Sequence, residues 1–256
     1  MSQQYIKLQV ESYVAVVTID NPPVNAMSLP LIQELITIFE SFSVSEDVRV
    51  AVLTAAGDRA FCSGRDLKES AGYTPAQNLE RARYLREGFF SVYHSAVPVI
   101  CVVNAPALGG GTALAGCCDF VIASERAVFG LAEIDVGLVG GAKFLSRMIP
   151  LMKARKMALT GERLGAREMY RLGGVDAVLP PEDLMSEAMK WARVIAGKSP
   201  RAVRLMRKTL NDNDFVSLKE AFRAEQGAAF ELLGYEDTAE ASRAVLEKRL
   251  ARFTGK

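Results

Sequence analysis

The chain opens with two short runs of β-branched and alternating residues, 6–10 and 14–19, a pattern that predicts a β-hairpin. Asn21, Pro22 and Pro23 stop it. Over 31–42 the apolar spacing changes to that of a helix, with Leu31, Leu35, Ile38, Phe39 and Phe42 on one face. Residues 48–54 read as a buried strand, ended by Ala55-Ala56-Gly57-Asp58. Thr74-Pro75-Ala76-Gln77 combines a capping threonine, a first-turn proline and a glutamine three residues on. That is the signature of a helix start, and the helix runs to about His94. A further apolar strand, 99–103, enters Gly109-Gly110-Gly111. A short buried helix over 114–118 and a strand over 120–123 follow.

Repetition of strand, strand and helix predicts an α/β fold with right-handed crossovers. The last third differs. From Pro181 onward helix signals succeed one another almost without strands: Ser199-Pro200, a capping box from Ser217 to Glu220, and an acidic start at Asp237 and Glu240. This contrast divides the chain into a core over 1–197 and a mainly helical region over 198–256.

Composition narrows the function. Half of the 256 residues are hydrophobic and 24% are charged, so a packed core is affordable and disorder is excluded. Lys plus Arg is 31 against 30 for Asp plus Glu, which gives no pull toward nucleic acid or an acidic membrane. The basic residues of one predicted helix, Arg201, Arg204, Arg207 and Lys208, read as a solvated face. Cys62, Cys101, Cys117 and Cys118 lack metal-site or redox spacing and read as small core residues. Residues 1–13 carry polar and charged side chains where a secretion signal needs an apolar run, and the longest uncharged stretch, 95–118, is broken by Pro98, Pro106 and three glycines. A cytoplasmic protein without a membrane span is expected.

Three segments carry the candidate chemistry: AFCSGRDLKE at 60–69, NAPALGGGTALAGCCD at 104–119 and FGLAEIDVGLVGG at 129–141. Three glycines between a strand and a helix let backbone approach a ligand closely. The helix start there offers free N–H groups that favour negative charge. Neither a G-x-G-x-x-G fingerprint nor a phosphate-binding G-x-x-x-x-G-K-[ST] loop is present. The single histidine, His94, sits where a helix should end and suits that position better than catalysis.

Taken together, the S-G-x-D-L-K motif at 63–68, the triple glycine and the Pro-Val-Asn-Ala segment at 23–26 resemble the crotonase superfamily, the enoyl-CoA hydratase/isomerase family. The resemblance runs along nearly the whole chain. It implies a crotonase-like spiral of ββα units, with the C-terminal helices serving trimerisation as a homotrimer or a dimer of trimers. It implies an acyl-CoA thioester substrate, coenzyme A entering only as part of that substrate, and no metal or redox cofactor. By the same resemblance, the backbone N–H groups of Arg65 and Gly110 form an oxyanion hole. Ala26, Gly64, Asp66, Leu67, Lys68, Gly109 and Ala113 line the substrate site, and Glu133 transfers protons.

The chain also departs from the pattern. Hydratases of this family carry a glutamate two positions after the third glycine, where Ala113 stands, and a second one matching Glu133. Dienoyl-CoA isomerases carry an aspartate where Gly141 stands. A site with one carboxylate suits a 3,2-enoyl-CoA isomerase, because a single base can take a proton from one carbon and return it to another. A single-glutamate hydratase and other enolate reactions, such as decarboxylation or thioester hydrolysis, are the alternatives. Leu131, Leu138 and Val139 are candidate acyl-pocket residues.

Overall fold

The computed structural model describes residues 5–214 and 216–256. In chain order the elements are β1 (Ile6–Glu11), β2 (Val14–Ile19), α1 (Leu29–Ser41), β3 (Val50–Ala55), α2 (Leu67–Ser70), α3 (Pro75–Tyr93), β4 (Val99–Val103), β5 (Ala107–Leu108), α4 (Gly110–Cys117), β6 (Phe120–Ser124) and β7 (Val128–Gly130). A 3-10 turn over Ala132–Val136 leads to α5 (Ala142–Met148), α6 (Leu151–Thr160), β8 (Leu164–Gly165), α7 (Ala166–Arg171) and β9 (Ala177–Leu179). Four helices close the chain: α8 (Leu184–Ala196), α9 (Pro200–Asp212), α10 (Leu218–Leu232) and α11 (Glu236–Leu246).

Six strands form one sheet in the order β1-β2-β3-β4-β6-β9. Only β1 is antiparallel to its neighbour, and every other pairing in this sheet is parallel. A second sheet joins β5, β7 and β8. The alternation of side chains along β3 and β4 divides the interior. Ala51, Leu53, Val99 and Cys101 face a large cluster shared with α1, α3 and α4. Val50, Val52, Ile100 and Val102 face a smaller cluster closed by Leu184, Ala188, Ala192 and Ala196 of α8. A strand buried on both faces reads as a continuous apolar run, as residues 50–53 do.

Local chemistry explains the helix starts. Ser28 caps α1, with its side chain accepting the Leu31 N–H and Pro30 in the first turn. Thr74 and Gln77 form the expected capping box on α3, and Ser217 and Glu220 form one on α10. Helix α4 begins at Gly110, four residues earlier than the apolar pattern predicts, so the glycines themselves make its first turn. All four cysteines are buried and free. No helix among the described residues is long and apolar enough to cross a membrane.

One expectation fails on α9. Arg207 is buried rather than solvated. Its guanidinium donates to the Asp119 carboxylate at 2.8 Å, to Val92 O at 3.1 Å and to Ser95 O. Asp119 also accepts the Val99 N–H. Asn211 Nδ2 and Tyr93 OH add bonds between the same elements. Arg204 spends its charge on Ser45 O and Val48 O. These bonds pin α9 to the end of α3, the start of β4 and the loop before β3. Arg207→Met leaves the half-buried Asp119 carboxylate and two carbonyls short of their donor, and loss of hydrogen bonds to a charged group typically costs about 1.5–3 kcal/mol. Urea denaturation is expected to show a loss of that size, and a variant within about 0.5 kcal/mol of wild type would show that α9 is held by other contacts.

Candidate active site

The site forms where loops leave the carboxyl ends of the parallel strands β3 and β4, the usual place for ligands in such sheets. Backbone bonds join the loops edge to edge. Met27 N–H donates to Gly64 O at 2.7 Å, Ser63 N–H to Val24 O at 3.1 Å and Leu108 N–H to Cys62 O at 2.9 Å. Asn25 is buried between them and donates to Ala56 O and Ala60 O. Ala26 therefore lies one residue from the contact with Gly64, and its own carbonyl accepts Asn21 Nδ2.

Gly64 has φ +86°, and a Cβ there would meet Leu108 O at 3.0 Å and Gly110 N at 3.1 Å. Only a residue without a side chain permits that approach. It places the amides of Arg65 and Gly110 on adjacent turns of backbone. Gly110 opens α4, so its N–H lies outside the helical ladder. Among the described residues, neither the Arg65 nor the Gly110 N–H has an intramolecular backbone acceptor. Met27 Sδ and the Phe89 ring lie beside Gly110.

Side chains around the first of these amides have mostly structural partners. The Arg65 guanidinium bonds Ser70 Oγ and Asn78 Oδ1, bridging α2 and α3. Asp66 caps α2 by accepting the Lys68 and Glu69 N–H groups. Leu67 and Lys68 are exposed. Sequence reasoning missed the brace behind them. The Glu69 carboxylate accepts the Leu29 N–H, and buried Arg81 donates to Met27 O with Glu69 3.9 Å from its Nε. One of three arginines in a polar helix, Arg81 carries no signal that it will be buried.

Glu133 approaches from the other side, on the 3-10 turn after β7. Its Oε1 lies 2.5 Å from where a Cβ on Gly109 would stand, so the carboxyl group rests on the glycine turn itself. Its Oε2 is buried without a hydrogen-bond partner. Burial pushes the Glu133 carboxyl above the ordinary carboxylate range, opposed only by a bond to its own backbone. Ala113 is fully buried. A Cβ on Gly141 would meet Leu131 Cδ2 at 2.9 Å and Ala113 Cβ at 3.2 Å, so alanine, glycine and leucine make an apolar wall.

Other acids nearby are engaged elsewhere. Asp135 rests against Gly161 at the end of α6, and Glu162 is paired with Lys153 and Lys156. Leu131 is buried at the site, whereas Val139 is 90% exposed and Leu138 sits at the surface. His94 caps α3 and stacks on Phe90, in a groove shared with Arg204 and Lys208 of α9. Burial pushes the Cys62 thiol up to about 12, which removes it as a nucleophile at neutral pH. Among the described residues no cluster of three or more His, Cys, Asp or Glu side chains suits a metal ion.

Comparison with known proteins identifies the family and the fold. The family model described as enoyl-CoA hydratase/isomerase matches residues 9–256. A "(7aS)-7a-methyl-1,5-dioxo-2,3,5,6,7,7a-hexahydro-1H-indene-carboxyl-CoA hydrolase" of Mycobacterium tuberculosis is 36% identical over 87% of this chain and 90% of its own length. A short-chain-enoyl-CoA hydratase of Clostridium acetobutylicum is 31% identical over 97% of each chain. The crystal structure of an enoyl-CoA hydratase from Bacillus anthracis superposes with a TM-score of 0.95 at 33% identity, covering 99% of this chain and 100% of that one.

The burial of Glu133 has a measurable consequence for stability. Its folded value lies above its unfolded one, so between the two the folded chain binds more protons. This group's contribution is then fully present below the unfolded value and declines as pH rises through the folded value. Glu133→Gln is neutral throughout and escapes the decline. The variant is expected to be more stable than wild type at about pH 8 and to lose that advantage near about pH 4, as read by urea denaturation. A difference independent of pH would show that Glu133 ionises normally.

Proposed function

The chain belongs to the enoyl-CoA hydratase/isomerase family, and from that membership we propose that it is a 3,2-enoyl-CoA isomerase with Glu133 as its single proton-transfer group. The Arg65 and Gly110 N–H groups receive the thioester oxygen. Ala26, Gly64 and Gly109 line the reacting end of the substrate, and Asp66, Leu67 and Lys68 flank the coenzyme A portion. The Glu133 carboxylate takes a proton from C2. Electron density moves onto the thioester oxygen, giving a dienolate held by the two amides. The protonated Glu133 then returns the proton to C4 on the same face, and the double bond settles between C2 and C3. No metal or redox cofactor enters these steps.

The amides suit this work because they are aimed before charge develops, and each such donor is typically worth about 3–4 kcal/mol in the transition state. The observation that carries the proposal is the asymmetry around the glycine turn. One buried carboxyl with an unpartnered oxygen lies on it, and Ala113 stands where hydratases of the family carry their other acid. Hydration must hold a water and divide two proton transfers, and an alanine, a glycine and a leucine offer that water no hydrogen bond. The same reading makes the protein a homotrimer or a dimer of trimers, supported by exposed apolar residues such as Phe222, Phe230 and Leu246 on α10 and α11.

Hydrolysis is the second reading, favoured by the similarity to the mycobacterial hydrolase. There Glu133 would deprotonate a water that attacks the thioester carbonyl, the amides would hold the tetrahedral oxyanion, and its collapse would break the C–S bond, with the protonated Glu133 returning its proton to the departing coenzyme A thiolate.

The test offers wild type a 3-enoyl-CoA, crotonyl-CoA and an oxo-acyl-CoA, with products separated by chromatography. Conversion of the 3-enoyl-CoA to the 2-enoyl-CoA is expected to dominate. Glu133→Gln should lower it by at least about 100-fold, the lower range for general acid–base assistance. Comparable turnover by the two proteins excludes Glu133 as the base. Faster hydration or hydrolysis by wild type replaces the isomerase reading with the corresponding alternative. Ala113→Glu is expected to gain measurable hydration of crotonyl-CoA.

A further inference from the structure

Thr112 lies in the middle of an apolar run, yet its side chain is fully buried and fully bonded. Its hydroxyl donates to Ala107 O at 2.6 Å, with Gly130 O 3.0 Å away, and accepts the Gly130 N–H at 3.0 Å. The Gly109 N–H donates to Gly130 O at 2.8 Å. Gly130 is thus gripped from residues 109 and 112, on either side of Gly110. It also precedes Glu133 by three residues at the end of β7. The short strands β5 and β7 share only two register pairs, Ala107 with Phe129 and Leu108 with Gly130. So brief a ladder does little to fix the spacing by itself.

We propose that Thr112 is a positioning residue: its hydroxyl locks the amide end of α4 to the loop carrying Glu133, and so sets the separation between the oxyanion donors and the acid. The proposal rests on the enolate reading of the site but not on which enolate reaction follows. Two small tolerances make the spacing matter. The Glu133 carboxyl fills the space a side chain on Gly109 would take, its Oε1 2.5 Å from that Cβ position, so it already lies close over the glycine turn. Moving outward separates acid from substrate, and a misplacement of about 1 Å commonly costs about 100-fold in rate. A buried hydroxyl that satisfied only the Gly130 N–H would affect folding alone. One that fixes two reacting groups affects turnover more than binding.

The experiment compares wild type with Thr112→Val, which keeps the shape and loses the hydroxyl, and Thr112→Ser, which keeps the hydroxyl. Melting temperatures establish that each is folded. Thr112→Val is expected to lose about 10- to 100-fold in kcat with KM changed by less than about threefold, and Thr112→Ser to recover most of it. The acid limb of the kcat profile should move to lower pH in Thr112→Val, because a loosened loop exposes Glu133, and should stay in place in Thr112→Ser. If Thr112→Val does not fold, Thr112→Ala takes its place with the same expectations. A second readout needs no turnover. Acetoacetyl-CoA forms an enolate with its own ultraviolet band, and the Val or Ala variant should bind that enolate at least about tenfold more weakly. Wild type inactive toward every enoyl-CoA overturns the isomerase reading, while the enolate band still decides the role of Thr112. The proposal is overturned if the folded variant keeps kcat and enolate affinity within about twofold of wild type. It is equally overturned if a folded Thr112→Ser fails to restore them.

Discussion

Everything at the centre of this molecule depends on two turns of backbone touching where side chains would forbid it. Gly64 lies with its α-carbon against the amide of Gly110, and Glu133 lies with its carboxyl against Gly109. A methyl group at either glycine would fall at 2.5–3.1 Å from atoms of the other partner. Amide dipoles fixed in this way do not have to turn toward a growing negative charge, as water would. Their orientation has already been set by folding, through the parallel strands that end beneath them.

The rest of the fold can be understood as support for that contact. β3 and β4 are buried on both faces, which gives the loops beyond them a packed base. The loops beyond them are joined by backbone bonds from Met27, Ser63 and Leu108. Asn25, Glu69 and Arg81 add side-chain braces on the outer side, and Thr112 adds one on the inner side. Each of these four buried or half-buried polar side chains draws two segments together.

Sequence pattern made part of this legible. Strands β1 to β4 and helix α3 announce themselves through β-branched runs and a capping box, and the observed bounds lie within a few residues of the expected ones. The candidate site residues Gly64, Arg65, Gly109, Gly110 and Glu133 were legible through local motifs, and the fold does bring them together. Strands β5, β7 and β8 were not, because two or three residues are too few to show a period. The burial of Arg207 is hidden from the sequence for a related reason. Helical spacing placed it on a basic face, but only tertiary structure could put Asp119 and two carbonyls opposite it. Thr112 left no mark at all: one hydroxyl in an apolar run looks like core until its partners are known.

The chemistry of a lone buried acid follows from the same economy of groups. An ordinary carboxylate gives up its proton readily and holds a returned one poorly. Burial disfavours the charged form, so Glu133 binds a proton more tightly than an exposed glutamate and is a stronger base once ionised. That property suits a cycle in which one group first removes a proton from carbon and then gives it back to carbon. It suits water addition less well, because a water needs a second polar anchor on its far side. The wall of Ala113, Gly141 and Leu131 supplies none. Under the proposed reading, an apolar wall beside the glycine turn favours proton transfer between neighbouring carbons over capture of the intermediate by solvent. In the proposed reaction it is the absence of a second acid, as much as the presence of the first, that directs the outcome.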